Sequence, residues 1–258
     1  DASFGAYADR PHLLWMGSLF MLMGALPFVL YIRFLRGARM ALWRDQQVRG
    51  LLIFLLLVIL CLAGWRTWLG TPPFEALTHA AFNVISVVTT TGYASDDYSS
   101  WGALAIVAFF YLTFVGGCSG STSGGMKVFR FQIASILLRN QLRYLIHSSG
   151  VFPTRYNGQP ITDDITRGVV AFSFFFFLTI AGLALGLAMM GLDLVTALSG
   201  AATAVANVGP GLGDTIGPAG NFAPLPDAAK WLLCVGMLLG RLEILTVLVL
   251  LTPMFWRR

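Results

Sequence analysis

Between Gly50 and Trp65 the chain reads GLLIFLLLVILCLAGW, and between Val169 and Met190 it reads VVAFSFFFFLTIAGLALGLAMM. Neither stretch carries a charge. A helix crosses the hydrocarbon core of a bilayer with about 20 apolar residues, and in lipid only helices and closed barrels satisfy their own backbone. The whole chain follows suit, with 57% hydrophobic and 11% charged residues. That balance excludes a large soluble domain and implies an all-α, multi-pass membrane protein.

Two further runs extend the pattern. Leu13–Ile32 is long enough to span, with a kink expected at Pro27. A last span is expected from Trp231 to Phe255, with Arg241 and Glu243 inside it. A third apolar run starts at Trp101, breaks at GGCSGSTSGGMK (residues 116–127) and resumes as the amphipathic segment Val128–His147. Between the spans lie two segments too short and too polar to cross, TPPFEALTHAAFNVISVV and GLDLVTALSGAATAVANVGPG. Pro72 and Pro73 suit a helix start, and Glu75 and Asp193 place an anion where a helix N-terminus favours it. Both segments read as half-length helices that enter the membrane and stop.

The net charge of +5, seventeen Lys and Arg against twelve Asp and Glu, is read as topology and not as a nucleic-acid partner. Arg33, Arg36, Arg39, Arg44 and Arg49 follow the first span. Lys127, Arg130, Arg139, Arg143, Arg155 and Arg167 lie between the break and the fourth span, and Arg257 and Arg258 end the chain. That face is assigned to the cytoplasm. The opposite face holds Arg10, Arg66 and Lys230 with Asp96, Asp97, Asp214 and Asp227, so both half-helices enter from outside. Cys61, Cys118 and Cys234 show no metal spacing and are expected as inert buried thiols. DASFGAYADRPH lacks a basic start leading into an apolar core, so it does not read as a signal peptide and looks like a chain picked up mid-protein.

Aligning Gly92 with Gly209 makes the two halves match: span, short helix, TTG or NVG, loop, span. A period of about 117 residues is too long for a solenoid and suits units arranged around an axis. FVGG, LLGR and MLMG make Gly116, Gly240 and Gly24 equivalent in three copies, the first lacking its front half. The expected divisions are 1–47 (end of one unit), 48–160 (a complete unit) and 161–258 (a second complete unit). In TTTGY the peptide carbonyls make sense if they face an ion. Carbonyls at bilayer depth are tolerated where they line a wet cavity, and an extended strand of small residues can aim them at an axis in place of a cation's water shell. Gly92 supplies positive φ. The half-helix points its negative end at the same place. Only the glycine is kept in the second copy, as expected if main-chain oxygens bind the ion.

VVTTTGYASDDYSSW, GGCSGSTSGGMKVFR, ANVGPGLG and MLLGRLEILTVLVLL together resemble the Trk/Ktr/HKT superfamily of potassium transporters, and most its bacterial TrkH-type subunits. The resemblance covers essentially the whole chain. It implies four helix–pore helix–filter loop–helix repeats in pseudo-fourfold arrangement, of which about two and a half are present, so the missing N-terminal repeats are themselves a partner. It makes Thr90, Thr91, Gly92 and Tyr93, with Asn207, Val208 and Gly209, the filter strands. Backbone carbonyls of Thr90, Thr91, Asn207 and Val208 would hold the transported potassium. It further implies a bacterial inner-membrane location, lipid contact, a homodimer and a cytosolic nucleotide-binding regulatory subunit, with Val128–His147 as candidate docking element. No organic cofactor and no enzymatic activity are expected.

GGCSGSTSGGMK lacks the order of a phosphate loop and lies inside a predicted span. The alternatives are a flexible break or a gate under the filter. In the gate reading Gly116, Gly117, Gly120, Ser121, Gly124 and Gly125 form the moving segment. Arg241 at mid-bilayer costs roughly 2.5–3.5 kcal/mol and needs a partner; it is expected to bind loop carbonyls and repel cations in a closed state. Glu243 is two residues away and cannot face it on a helix. His79 is expected as a packed polar residue on the first pore helix, and Phe174–Phe177 as lipid-facing or packing surface. The rival reading is a secondary transporter with broken helices and a midplane site; an intramembrane enzyme is more distant. Uptake by channel and by proton or sodium symport both stay open.

Overall fold

The computed structural model describes residues 3–147, 150, 152–250 and 252–256. Helices α1 (Pro11–Gly24), α2 (Phe28–Leu35) and α3 (Ala41–Arg44) lead into α4 (Gln46–Trp68), α5 (Pro73–Val88) and α6 (Ala103–Val115). Helix α7 (Val128–Ile146) follows, then a two-stranded hairpin of β1 (Arg155–Tyr156) and β2 (Gln159–Pro160), antiparallel with Arg155 opposite Pro160. Next come α8 (Asp163–Met189), α9 (Leu194–Ala206), α10 (Gly213–Ile216), α11 (Asp227–Arg241), α12 (Ile244–Leu250) and α13 (Pro253–Trp256). Single 3-10 turns cover Gly5–Tyr7 and Tyr98–Trp101.

Helices α4 and α8 are the two long, apolar ones. Asp45 caps α4 by accepting from the backbone N–H of Gln47 (2.9 Å) and Val48 (3.1 Å). The buried stripe Val48, Leu51, Leu55, Ile59 and Leu62 recurs at helical spacing, while Ile53, Leu56, Leu57 and Leu60 face outward. Helix α8 divides likewise. Phe176 is 1% exposed and Phe174 is 62% exposed, so the phenylalanine run splits between packing and lipid. A surface apolar on all sides is stable only in a membrane.

Helices α5 and α9 sit inside. Most residues of each are buried, α5 against α1, α4 and α6, and α9 against α6, α8 and α11. The two half-length segments are therefore each wrapped by a long and a broken helix, as the repeat predicts. Helices α1, α6 and α11 end at Gly24, Val115 and Arg241, within a residue of the three glycines equated by sequence.

Three expectations need correction. The first apolar run is not one kinked span: it breaks after Gly24 and α2 leaves at 93° to α1. Pro27 begins the second piece, and Phe28 N–H, with no partner in its own helix, donates to Gly120 O at 3.1 Å. The last span is not continuous either. It stops at Arg241, and Glu243 takes a left-handed φ of 56° before α12. Of the cysteines only Cys118 is buried; Cys61 and Cys234 lie on outward faces, and all three are unpaired. The expected division between 47 and 48 falls inside the first turn of α4. Arg257 and Arg258 lie outside the described residues.

Candidate functional site

Each short helix stops in the same way. After α5, Thr90 N–H donates to Val87 O (3.1 Å) and Thr91 N–H to Ser86 O (2.9 Å). After α9, Asn207 N–H donates to Ala204 O (3.1 Å) and Val208 N–H to Thr203 O (3.1 Å). Thr90 and Asn207 have φ of 57° and 58°, and two residues on Gly92 and Gly209 have φ of 80° and 123°. Two sequences that share only a glycine thus adopt one backbone at positions the repeat equates. Asn tolerates the left-handed region, but β-branched Thr rarely enters it. Thr90 is retained there by its side chain, whose Oγ1 accepts from Gly124 N–H at 2.7 Å.

The two strands meet at the glycines. The position a Cβ would take on Gly209 is 3.7 Å from Gly92 Cα, and a Cβ on Gly92 would overlap the Val208 carbonyl oxygen. Among the described residues no hydrogen bond ends on the carbonyls of Thr90, Thr91, Gly92, Asn207, Val208 or Gly209. Six unclaimed main-chain oxygens beside the negative ends of two helices form a donor set suited to a hard monovalent cation. No group of three His, Cys, Asp or Glu side chains competes for that role among the described residues.

Polar residues behind the strands hold the chain that leaves them. His79 Nδ1 lies 2.9 Å from Ser95 Oγ, and Asn83 Nδ2 donates to the same oxygen at 3.0 Å. Ser95 N–H donates to Asn83 Oδ1 at 3.1 Å. In the second copy Leu212 N–H donates to Ser199 Oγ at 2.9 Å. His79 is thus a satisfied packed residue. Tyr93 is turned away from the strands, 44% exposed with its ring 5.3 Å from Phe4, whose N–H donates to Ala94 O. Farther along, Arg66 pairs with Asp96 (3.5 Å) and lies over Trp101, which itself donates to Asp96 at 2.8 Å.

The glycine-rich break runs directly beneath the first strand. Ser123 Oγ donates to Thr89 O at 2.8 Å, next to the Gly124–Thr90 bond. A Cβ on Gly124 would overlap Ala206 O, so the loop also abuts the end of α9. Gly116 (φ 71°) and Gly125 (φ 69°) cross backbone to backbone, and Gly117 lies against Ser123 and Ala25 O. Gly120, at φ 76°, has only Pro27 in ordinary contact with the place of a Cβ, and its carbonyl takes Phe28 N–H. Ser121 Oγ donates to Cys118 O at 2.6 Å. Further tethers run from Cys118 N–H to Ala25 O (2.9 Å), from Thr122 Oγ1 to Gly24 O (2.9 Å), and from Ser119 N–H to the Gln47 side chain. The break has little side-chain bulk, but polar bonds hold it on several sides.

Arg241 Nη1 donates to Thr122 O at 3.0 Å, the loop carbonyl contact expected of it. Glu243 has a different partner. Arg130 Nη2 lies 3.4 Å from Glu243 Oε1, Nη1 donates to Met126 O at 3.0 Å, and the guanidinium stacks 3.6 Å from the Phe172 ring centre. With Lys127 these groups surround a cavity of about 190 Å³ below the loop. In the sequence Arg130 stands only among the basic residues of one face; an intramembrane Glu243 with no local partner is the signal that a cation from another helix must reach it. The side chains of Thr90 and Asn207 were likewise passed over. Asn207 Nδ2 donates to Met237 O of α11 at 3.2 Å, so each residue ties its strand to the following broken helix, which explains why their identities differ.

The family described as TrkH, cation transport protein, matches residues 1–258. The chain is 83% identical over its full length to the Trk system potassium uptake protein TrkI of Halomonas elongata, of which it covers 52%. It is 37% identical to TrkH of the same organism, covering 53% of it. The crystal structure of the potassium transporter TrkH from Vibrio parahaemolyticus superposes with a TM-score of 0.92 at 34% identity, over all of this chain and 55% of that one. The chain therefore spans about half the length of the curated relatives it matches, and carries the corresponding share of an all-helical, repeated membrane fold. With one backbone repeated at two strand turns and a family profile matching end to end, the chain belongs to the TrkH family of cation transport proteins.

Proposed function

We propose that this chain forms part of a pathway for potassium uptake across the bacterial inner membrane. Potassium enters from the face of Asp96 and Asp214, sheds water against the carbonyls of Thr90, Thr91, Asn207 and Val208, and leaves past the glycine-rich loop. The observation that carries the reading is the pair of matched strands with unclaimed carbonyl oxygens. The membrane potential supplies roughly 2.3 kcal/mol per charge per 100 mV. Strands on the missing half of the protein complete the ring. Transport of potassium by the similar proteins of Halomonas elongata and Vibrio parahaemolyticus supports the choice of ion.

In this reading residues 116–127, bonded to Thr89, Thr90 and Arg241, are a closed gate. Opening must exchange those bonds for water. At about 0.5–1.5 kcal/mol net per bond, and 1.5–3 for the charged one, the barrier is within reach of a regulatory subunit's binding energy. Helix α7 exposes Leu138, Leu142, Leu145 and Ile146 and offers that cytosolic nucleotide-binding subunit a docking face. The protein works as a homodimer, by conduction or by coupled symport.

Rubidium influx into potassium-starved cells expressing the full-length protein tests the proposal. Substitution of Gly92 or Gly209 should abolish or sharply reduce influx at equal expression, and unchanged influx in both would refute it.

A further inference from the structure

Two cavities outside the proposed ion pathway share Gln46 as a lining residue. One is an apolar groove of about 620 Å³, whose wall along α4 is Gln46, Gly50 and Phe54 and whose other walls include Tyr111, Phe131 and Ser135. The second, of about 430 Å³, opens at the end of α4 and is lined by Arg33, Arg44 and Arg49 with Asp45. Gln46 lines both.

The charge in the second cavity is unbalanced. Asp45 Oδ1 accepts from Gln47 and Val48 N–H, and Oδ2 accepts from Asn157 Nδ2 at 2.9 Å. Its carboxylate is committed to capping α4 and holding the hairpin. Among the described residues none of Arg33, Arg44 and Arg49 enters an ion pair. Three guanidinium groups, suited to bidentate contact with phosphate oxygens, thus line a cavity that shares Gln46 with an apolar groove. Gln46, Gly50 and Phe54 recur every fourth residue, so the groove follows α4 toward the bilayer centre for about 12 Å at 1.5 Å per residue. At Gly50, which has no side chain, Gln132 packs against the α4 backbone and donates to Gln46 O at 3.0 Å, which makes the groove shallower there. An acyl chain fits such a groove, and an anionic headgroup fits the arginine-lined cavity.

We infer that this is a binding site for one anionic phospholipid, with its phosphate among Arg33, Arg44 and Arg49 and a chain along α4 between α6 and α7. The site lies on the basic face and uses none of the residues of the ion pathway.

Native mass spectrometry of the delipidated full-length protein, titrated with phosphatidylglycerol or phosphatidylcholine, tests the inference. The wild type should retain phosphatidylglycerol in preference. The variant R33Q/R44Q/R49Q should retain it about tenfold less or worse, given the attraction each basic group near a membrane surface exerts on anionic lipid. R36Q/R39Q/R143Q, with the same change in charge elsewhere on that face, should behave as wild type. Ser135→Trp, filling the groove from an exposed position, should weaken retention of both lipids. Equal loss in the two triple variants would show only diffuse surface charge and overturn the inference. So would equal retention of the two lipids by the wild type. Displacement of phosphatidylglycerol by equimolar inorganic phosphate would assign the arginines to a free anion and overturn it as well.

Discussion

Replacing Gly92 by alanine separates two costs that the repeat makes comparable. Gly92 and Gly209 both hold positive φ, at 80° and 123°, so an alanine is strained by about 1–2 kcal/mol at the first, near the left-handed helical region, and by about 1–3 kcal/mol at the second, beyond it. Their surroundings differ. At Gly209 a new Cβ meets nothing nearer than Gly92 Cα at 3.7 Å, an ordinary contact. At Gly92 it overlaps the Val208 carbonyl oxygen and lies 3.1 Å from Pro210 Cδ. To restore the 3.0 Å that real Cβ atoms keep, that oxygen must retreat by about 1 Å. In the proposed pathway a carbonyl so displaced no longer serves as an ion ligand, and backbone there has no soft side chain to yield instead. Strain together with one lost charge-assisted contact of about 1.5–3 kcal/mol gives roughly 2.5–5 kcal/mol. At 1.4 kcal/mol per decade, Gly92→Ala should lower rubidium influx by at least about 60-fold. Gly209→Ala should lower it by about 5- to 150-fold from strain alone. Influx is measured in potassium-starved cells and normalised to protein in the membrane. Wild-type influx in Gly92→Ala, or a larger loss in Gly209→Ala than in Gly92→Ala, would refute the reasoning.

Arg241→Ala removes the bond to Thr122 O and should raise resting rubidium leak; a variant as tight as wild type would show that the contact does not hold the loop. Arg130→Ala leaves Glu243 without its cation and uncovers the Phe172 face, so thermal unfolding of the purified protein should shift downward by more than for Arg241→Ala; Arg130→Lys should recover little, because it keeps charge but loses the planar stack. Thr90→Val should weaken the tie between the Gly92 strand and the loop, detectable as faster hydrogen exchange at Gly124 N–H, whereas Thr90→Ser should not. Hydrogen bonds from Thr196 hold the Asp193 carboxyl below its ordinary range. Its contribution to stability is therefore full above the carboxyl's unfolded pKa and is lost as pH falls through the lower folded value. Asp193→Asn, which still caps, should remove that acid dependence, and Asp193→Ala should cost about 1 kcal/mol at neutral pH, both read from thermal melts at several pH values.

What could be read from the chain follows from where local chemistry suffices. The half-helices were legible because Pro72, Pro73 and Asp193 mark their starts and the TTG and NVG turns mark their ends. The equivalence of Gly92 and Gly209 was legible because left-handed backbone demands glycine, and the structure extends it to Thr90 and Asn207, where no glycine advertises it. The 93° turn between α1 and α2 was not. Pro27 announces a break but not its angle, which is set by Gly24, Ala25 and Phe28 bonding to residues 118–122 far along the chain. The interruption at Glu243 was hidden for a similar reason. LEILTVLVLL is locally a good helix, and Glu243 is drawn out of line by an arginine more than a hundred positions away. The hairpin at Asn157–Gly158 has a local signal, an Asn-Gly pair with φ of 48° and 79°.

The most direct test of the ion-binding claim is a density map of the full-length protein soaked in rubidium or thallium, with the anomalous signal located. The account predicts a peak between the Gly92 and Gly209 strands, in contact with the carbonyl oxygens of Thr90, Thr91, Asn207 and Val208. A map with no peak there, and those oxygens bonded to neighbouring N–H groups, would contradict it.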